Sequence, residues 1–234
     1  MGSEMCIRDS LYRYWGYERQ LAGDLLERTN TDLAGTDEAR LRADLDRLFP
    51  RPAELKGPDW QKVAAAVAAL KQACVISGGP GTGKTSTVLR ILALLAAQAG
   101  ARSLRIALAA PTGKAAARLQ ESVRAAKPAL RLASEQAAQI PEEAFTLHRL
   151  LGGRPDSASF RHHAENPLPL DVLVVDEVSM VGLALMAKTV DALPPEARLI
   201  LLGDKDQLAS VEAGSVLGEI CAGAGRFSPA FRER

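Results

Sequence analysis

Gly78-Gly79-Pro80-Gly81-Thr82-Gly83-Lys84-Thr85 is the stretch of this 234-residue sequence that decides its fold. It fits the pattern G-x-x-x-x-G-K-[ST], in which glycines let backbone N–H groups turn toward phosphate oxygens. Lys84 is the residue that reaches the β- and γ-phosphates, and the hydroxyl of Thr85 faces Mg²⁺. We therefore predict that this loop, together with the following Ser86, binds ATP and Mg²⁺.

The segments around the loop supply the context that this chemistry needs, a strand before it and a helix after it. Ala73–Ser77 is an apolar run typical of a strand, and Lys84–Ala99 is a predicted helix. The alternation continues with predicted strands at Leu104–Ala109, Asp171–Val175 and Arg198–Leu202, and with a predicted helix at Gly113–Ala126. Such alternation indicates an α/β fold, a parallel sheet of the P-loop NTPase kind flanked by helices.

The residues before the sheet indicate a small α-helical domain. Leucines spaced three and four apart between Leu11 and Leu48 predict two short helices joined near Asn30 to Thr36. Proline and glycine punctuation places a boundary near residues 50–57, and Asp59 is a natural N-cap for the next helix. We expect a non-native leader at 1–10, a helical domain at 11–52 and a nucleotide-binding domain at 53–234, with an insertion at about 127–169 and a short helix near Phe145–Leu151.

The composition excludes a membrane-spanning protein and does not indicate whether the protein binds nucleic acid. The 29 lysines and arginines almost cancel the 28 acidic residues, so contacts with nucleic acid must come from local loops. The longest apolar runs fall far short of the roughly 20 residues that a membrane span needs. Three widely spaced cysteines without a CxxC pair favour reduced thiols and a cytoplasmic location, with no membrane partner.

A pair of carboxylates follows the predicted strand at Asp171–Val175. We expect Asp176 to hold Mg²⁺ through water and Glu177 to polarise the attacking water. An ordinary strand-to-loop cap is the alternative for Asp-Glu alone, but the complete phosphate loop some ninety residues earlier favours the catalytic interpretation.

Polar loops also follow the other predicted strands. Beyond Leu202, Gln207 is placed to sense the γ-phosphate, although a charged surface turn would read the same way. After Ala109, the group Thr112, Gly113 and Lys114 combines a hydroxyl, a backbone N–H and an ammonium that suit a phosphodiester, with a generic helix start as the alternative.

The histidine-containing segments give weaker signals. Thr146 is a natural helix cap, and a lone histidine such as His148 is more often structural than catalytic. His162 and His163 lack a third ligand at metal spacing, so neither histidine segment predicts a metal site.

Six strings taken together resemble a known family. They are Trp60-Gln61-Lys62-Val63-Ala64, Ser77 to Thr85, Ala110 to Leu119, Thr146 to Gly152, Val174 to Met180 and Leu202 to Gly214. From about Leu11 onward the chain resembles the first RecA-like motor domain of superfamily 1 DNA helicases, specifically the alpha (RecD) subunit of bacterial exodeoxyribonuclease V.

The resemblance implies roles that the spacing alone leaves open. It implies that Gln61 reads adenine and that Gln207 senses phosphate, beside Lys84, Asp176 and Glu177. It also implies that Thr112, Gly113, Lys114, Thr146 and His148 belong to DNA-contacting motifs. The segment Tyr12 to Gln20 is similar to the helical region that docks onto partner subunits, with a plain aromatic surface patch as the alternative.

The family activity that follows is ATP-driven 5′ to 3′ translocation on single-stranded DNA at duplex ends. It takes place in a complex with RecB and RecC subunits, in the cytoplasm, and serves recombinational repair of double-strand breaks. The family also has a second RecA-like domain that supplies arginines to the γ-phosphate, whereas this sequence stops at Arg234. Loss of such an arginine lowers turnover by roughly 10³ to 10⁵, so we expect this segment alone to be weakly active or inactive.

Two other functions compete with the motor. One is a module that binds nucleotide and partner proteins without turnover, because the second motor domain is missing. The other is a small-molecule kinase with a phosphate loop, for which the sequence contains no recognisable acceptor site.

Overall fold

The computed structural model describes residues 2–31, 37–51, 54, 56–79, 81–130, 132–153, 159–207 and 216–223, with only the backbone for residues 2–10 and 223. The helices are α1 (Gly2–Asn30), α2 (Glu38–Leu48), α3 (Trp60–Leu70), α4 (Lys84–Ala99), α5 (Gly113–Ala126), α6 (Ser134–Gln139), α7 (Leu147–Leu150), α8 (Leu183–Asp191) and α9 (Val216–Ile220). The strands are β1 (Ala73–Ser77), β2 (Ile106–Ala110), β3 (Ala144–Thr146), β4 (Val172–Val175) and β5 (Arg198–Gly203). Short 3-10 turns occupy Lys127–Leu130, Val178–Met180 and Cys221–Gly223.

The five strands form one sheet in the order β1-β5-β4-β2-β3. All four pairings are parallel, so the carboxyl ends of all five strands lie at one edge of the sheet. The register sets Ser77 beside Gly203 and Ala110 beside Thr146. The predicted α/β architecture, a parallel sheet flanked by helices, is confirmed.

Helices cover both faces of the sheet, because successive strand residues point to opposite sides. On β4 and β5, Val174 and Ile200 pack into the core shared with α2, α3, α4 and α5. Their neighbours Val175 and Leu201 pack into the second core, shared with α1, α8 and α9. Burial on both faces explains why these strands read as continuous apolar runs instead of alternating patterns.

Three predicted elements agree with the structure to the residue, whereas the strands predicted at Asp171–Val175 and Arg198–Leu202 run from Val172 to Val175 and from Arg198 to Gly203. β1, α4 and α5 have the predicted bounds, and the Asp59 carboxylate caps α3 by accepting from the N–H groups of Gln61 and Lys62, both at 3.1 Å. The strand predicted at Leu104–Ala109 runs from Ile106 to Ala110 instead. The amide of Leu104 lies outside the ladder and donates to Gln139 Oε1 at 3.2 Å.

The segment predicted as loops between residues 127 and 169 contains more structure than its pattern indicated. The short helix expected near Phe145–Leu151 is confined to α7, and Phe145 itself lies in β3. β3 has only three residues at the edge of the sheet, and its conformation comes from pairing with β2. So short a strand has no periodicity for a sequence pattern to reveal.

Both N-terminal helices pack against the sheet domain. α1 is a single helix of 29 residues that includes the backbone of the expected leader, and it lies against α8. α2 packs on the other face, against α3 and α4, through Leu41, Leu45 and Leu48. Among the described residues, no helix is both long enough and apolar enough to cross a membrane.

A buried arginine fixes α1 to the end of α8. The guanidinium of Arg28 donates to the carbonyl oxygens of Ala197 at 2.8 Å, Pro194 at 3.0 Å and Leu193 at 3.2 Å. These carbonyls belong to the segment between α8 and β5, so the buried cation satisfies acceptors of that connection. Desolvation by burial lowers the pKa of Arg28, and attraction to Asp24 opposes that shift.

Replacing Arg28 should therefore destabilise the fold. Arg28→Met keeps an unbranched chain but removes the guanidinium donor from these buried carbonyl oxygens, and we expect a loss of about 2–4 kcal/mol in the free energy of unfolding. Urea denaturation measures this loss. Arg19→Met, at an exposed site on the same helix, should cost less than about 0.5 kcal/mol. Equal losses in the free energy of unfolding for the two variants would contradict the role of Arg28 in fixing α1 to the end of α8.

Candidate functional site

The residues singled out in the sequence converge on the carboxyl edge of the sheet. The phosphate loop follows β1, the Asp204–Gln207 loop follows β5, and the Asp176–Glu177 pair follows β4. On the other side of β4, Thr112 follows β2 and Thr146 ends β3. In parallel α/β sheets, ligands bind beyond the carboxyl ends of the strands. The strand order thus divides one edge between nucleotide candidates and DNA candidates.

The phosphate loop leaves β1 with its ladder intact and then closes over Lys84. The Gly78 N–H donates to Gly203 O at 3.1 Å, which extends the parallel pairing by one residue. The Lys84 ammonium donates to the carbonyl oxygens of Gly78 at 2.5 Å and Gly79 at 3.0 Å. Thr82 Oγ1 also donates to Gly79 O at 2.9 Å. These contacts keep the ammonium inside the loop, where phosphate oxygens would meet it.

Two glycines of this loop are required by its geometry. Gly83 has φ of 80°, in the left-handed region, and is the cap from which α4 starts. A Cβ built on Gly78 would lie 2.8 Å from Thr82 Oγ1, closer than the loop permits. Thr85 and Ser86 are half-buried in the first turn of α4. Pro80, also predicted to bind nucleotide, lies outside the described residues.

Gln61 lies against the phosphate loop from the start of α3. Its Nε2 donates to Thr82 O at 3.5 Å, and a Cβ on Gly83 would come within 3.3 Å of that same nitrogen. The exposed side chain therefore stands beside the phosphate loop, and its contact with adenine stays a prediction. The structure brings Gln61 and the loop together although more than fifteen residues separate them in sequence.

The carboxylate pair at the end of β4 has a strained backbone and an unusual electrostatic environment. Glu177 has φ of 53° and is the only non-glycine among the described residues with a left-handed backbone, a strain that clusters at functional sites. Its N–H donates to Asp176 Oδ1 at 2.9 Å. Burial raises the pKa of Asp176, repulsion from Glu177 adds to this effect, and attraction to Lys84 opposes it. The pair thus combines a strained backbone at Glu177 with a largely desolvated acid at Asp176.

Asp204 is a buried acid at this edge to which the sequence interpretation gave no role. It is 7% exposed, its Oδ1 accepts from the Asp206 N–H at 3.0 Å, and its Oδ2 is 4.0 Å from the position of a Cβ on Gly79. The signal that could have found it is an acid directly after a buried strand adjacent to the phosphate-loop strand. Gln207 has an exposed side chain in the same loop, and its N–H donates to Asp204 O at 3.2 Å.

The loop after β2 presents exposed donors. Thr112 caps α5, because its Oγ1 accepts from the Ala115 N–H at 3.2 Å. Thr112, Gly113 and Lys114 are all exposed. The free N–H groups of a helix start together with an ammonium form an anion-binding surface, which suits a phosphodiester.

The end of β3 lies next to that loop. Thr146 caps α7 by accepting from the Arg149 N–H at 3.2 Å, and the exposed His148 stacks edge-on against Phe160, with ring centroids 5.7 Å apart. Because Ala110 pairs with Thr146, the two predicted DNA-contacting groups are neighbours on the sheet edge. His162 and His163 lie in a turn after β3, and no cluster of three metal-ligating side chains occurs in the described part of the chain.

The residues present fit a magnesium nucleotide. A loop with left-handed glycines, a lysine inside it and the N-terminus of a 16-residue helix supplies donors for phosphate oxygens. The hydroxyl of Thr85 and the carboxylate of Asp176 are oxygen ligands of the kind that Mg²⁺ prefers. Mg²⁺, when bound, would neutralise phosphate charge between β1 and β4.

Comparison with known proteins gives a consistent picture. Residues 61–213 match the protein family described as AAA domain. The RecBCD enzyme subunit RecD of Mycolicibacterium smegmatis is 51% identical over 223 residues, 93% of this chain and 38% of that protein. The RecBCD enzyme subunit RecD of Haemophilus influenzae is 46% identical over 216 residues, 89% of this chain and 33% of that protein. The ATP-dependent RecD2 DNA helicase of Deinococcus radiodurans is 48% identical over 140 residues, 60% of this chain and 16% of that protein.

This chain therefore spans 38% of the length of the Mycolicibacterium relative and less of the other two. The AAA-domain match covers more than half of the chain and includes the phosphate loop, the Asp176–Glu177 pair and Gln207. The chain belongs to the AAA domain family, and its relatives within that family are RecD-type helicase subunits.

Proposed function

We propose that this chain is the nucleotide-binding half of an ATP-dependent DNA helicase motor of the RecD type. The observation that carries the proposal is the shared carboxyl edge, where the phosphate loop, Asp176 and Glu177 lie beside the loops after β2 and β3. ATP hydrolysis and DNA contact would thus take place on adjacent strands of one sheet. A motor needs the two sites to be close, because ATP hydrolysis must change the affinity of the protein for DNA.

In this proposal each nucleotide contact has a stated role. Lys84 and the N–H groups of the loop bind the β- and γ-phosphates, and Thr85 and Asp176 hold Mg²⁺. Glu177 polarises the attacking water and Gln207 senses the terminal phosphate. Gln61 reads the adenine from the start of α3, where its amide already contacts the loop backbone.

The DNA strand is proposed to lie across β2 and β3. Thr112, Gly113 and Lys114 would contact phosphates after β2, and Thr146 and His148 would extend the contact after β3. These groups read backbone rather than bases, which fits a translocase that accepts any sequence. Movement in the 5′ to 3′ direction on single-stranded DNA at duplex ends is part of the proposal.

Partners and location follow from the relatives. We propose assembly with RecB and RecC subunits in the cytoplasm, in recombinational repair of double-strand breaks, because the relatives are named as subunits of RecBCD enzymes. The domain division at residues 50–57 stays a prediction, as does docking of partners through the aromatic face of α1. On that face Tyr12 and Trp15 are 73% and 48% exposed.

ATPase activity with and without a single-stranded oligonucleotide tests the motor directly. We expect the oligonucleotide to stimulate turnover, and Lys114→Ala to weaken DNA affinity similarly for all sequences while reducing the salt slope of log Kd by about one. Fluorescence anisotropy over a range of salt concentrations measures both effects. The physical reason is the loss of one phosphate contact and of the counterion that it releases.

Arg42→Ala is the matched control, because it removes an exposed positive charge from α2, which packs against α3 and α4 and is not among the proposed DNA contacts. An equal effect from Arg42→Ala would contradict the DNA path. Nucleotide binding without any stimulation by DNA would instead support a module that binds nucleotide and partner proteins without turnover.

A further inference from the structure

The hydroxyl of Ser179 is buried without a hydrogen-bond partner. Ser179 lies in the 3-10 turn Val178–Met180, directly after the Asp176–Glu177 pair, and is 7% exposed. Its Oγ has no partner among the described residues. An unpaired hydroxyl in the interior is destabilising, and such groups in native proteins are associated with function. The sequence pattern gave no sign of this group.

The turn that carries Ser179 rests on the end of β5. A Cβ built on Gly203 would lie 3.4 Å from Ser179 N, 3.5 Å from Val178 N and 2.5 Å from Leu217 Cδ2. A Cβ at position 203 would therefore displace the Leu217 side chain and would be in van der Waals contact with the turn. The next residue, Asp204, is buried and approaches Gly79 of the phosphate loop. Ser179 therefore lies between the carboxylates after β4 and the acid after β5.

The backbone around Ser179 is held in an unfavourable conformation. Glu177, two residues earlier, has a left-handed backbone, which persists only where surrounding contacts enforce it. The Met180 N–H donates to Glu177 O at 3.0 Å and closes the turn. A shift of this turn would consequently move the Glu177 carboxylate as well.

We propose that Ser179 is a positioning residue whose hydroxyl donates a hydrogen bond to the Asp204 carboxylate when a nucleotide with a γ-phosphate is bound. The inference rests on the proposed ATPase function. The bond fixes the Asp204–Gln207 loop relative to Asp176 and Glu177, so that Gln207 meets the terminal phosphate. A ligand shifts an equilibrium only through contacts that differ between two states. The Ser179 hydroxyl supplies such a difference, because it is unpaired without nucleotide and bonded to Asp204 when the γ-phosphate is bound.

Nucleotide titration of Ser179→Ala tests this role. Calorimetry with Mg²⁺ and either ADP or ATPγS gives the two dissociation constants for each variant. We expect ADP affinity within twofold of the parent protein and ATPγS affinity about tenfold weaker, the effect of losing one charge-assisted hydrogen bond. The melting temperature of the nucleotide-free protein should stay the same or rise, because an unpaired buried group has been removed.

Two further variants separate positioning from packing. Thr189→Val removes a buried hydroxyl that already donates to Leu185 O at 2.7 Å, so it should lower the melting temperature and leave both nucleotide affinities unchanged. In an Asp204→Ala background, which removes the proposed acceptor, Ser179→Ala should change ATPγS affinity by less than twofold, because the effects of two contacting residues are not additive.

The outcomes are distinct. A parent protein that binds neither nucleotide would overturn the proposed function and this inference with it. A parent protein that prefers ATPγS, combined with a Ser179→Ala variant that binds both nucleotides normally, would overturn the positioning role alone. Equal weakening of ADP and ATPγS would also overturn it, because that result indicates a general packing defect.

Discussion

Lys84→Ala should weaken nucleotide binding about a hundredfold and abolish DNA-stimulated ATPase activity. The ammonium is held inside the phosphate loop by the carbonyl oxygens of Gly78 and Gly79, and its attraction opposes the rise in pKa that burial gives Asp176. Removing it leaves phosphate charge without its nearest cation, a loss of about 2.7 kcal/mol for a buried charge pair. Titration with a fluorescent ATP analogue measures the affinity, and a coupled assay measures turnover.

The control for this prediction is Lys56→Ala, which removes an exposed ammonium from the segment before α3. Its nucleotide affinity should lie within twofold of the parent value, since an exposed surface charge is screened by salt. Retention of nucleotide affinity in Lys84→Ala would contradict the assignment of the phosphate loop. A loss shared by both variants would indicate a nonspecific effect of net charge.

Sequence reasoning was most accurate where structure is set locally. The bounds of β1, α4 and α5 were predicted without error, because a buried run, a glycine loop and a cap residue act within a few residues. The location of Asp176 at the same edge of the sheet as the phosphate loop also follows from local rules. Both come directly after parallel strands, and such strands end at the same edge.

The features that could not be predicted from the sequence depend on contacts between elements that are far apart in the chain. The order β1-β5-β4-β2-β3 places β5 between the strands that carry Lys84 and Asp176, and only this order gives Asp204 its position beside Gly79. β3 exists because β2 offers it a partner. The unpaired state of Ser179 likewise depends on burial by β5 and α9, which no local pattern encodes.

The same strand order explains how nucleotide chemistry could affect DNA. β4 carries the carboxylates and lies between β5, next to the phosphate loop, and β2, which leads to Lys114. The Asp176 N–H donates to Ala109 O at 2.8 Å, so Asp176 is joined directly to the strand that leads to the proposed DNA loop. A change in the position of Asp176 would reach that loop through one hydrogen bond and three residues of chain.

Glu177→Gln and Asp176→Asn should separate turnover from metal binding. Glu177→Gln removes the base that polarises water, and we expect turnover to fall by about 10² to 10⁴ while ATP still binds. Asp176→Asn removes a charge from the proposed Mg²⁺ site, and we expect nucleotide affinity to fall roughly 10- to 100-fold in the presence of Mg²⁺. With EDTA in place of Mg²⁺, the affinity of Asp176→Asn should match that of the parent protein.

Both substitutions nearly preserve the shape of the side chain, so the melting temperature of each variant serves as a control for correct folding. Glutamine in place of Glu177 occupies the same left-handed backbone position with the same strain, and its N–H still reaches residue 176. The melting temperature of Glu177→Gln should therefore stay close to that of the parent protein. Asparagine at position 176 should raise it, because the burial that raises the pKa of Asp176 opposes an ionised carboxylate there. Equal loss of turnover and of nucleotide binding in Glu177→Gln would contradict its role as the base and assign it to the metal site instead.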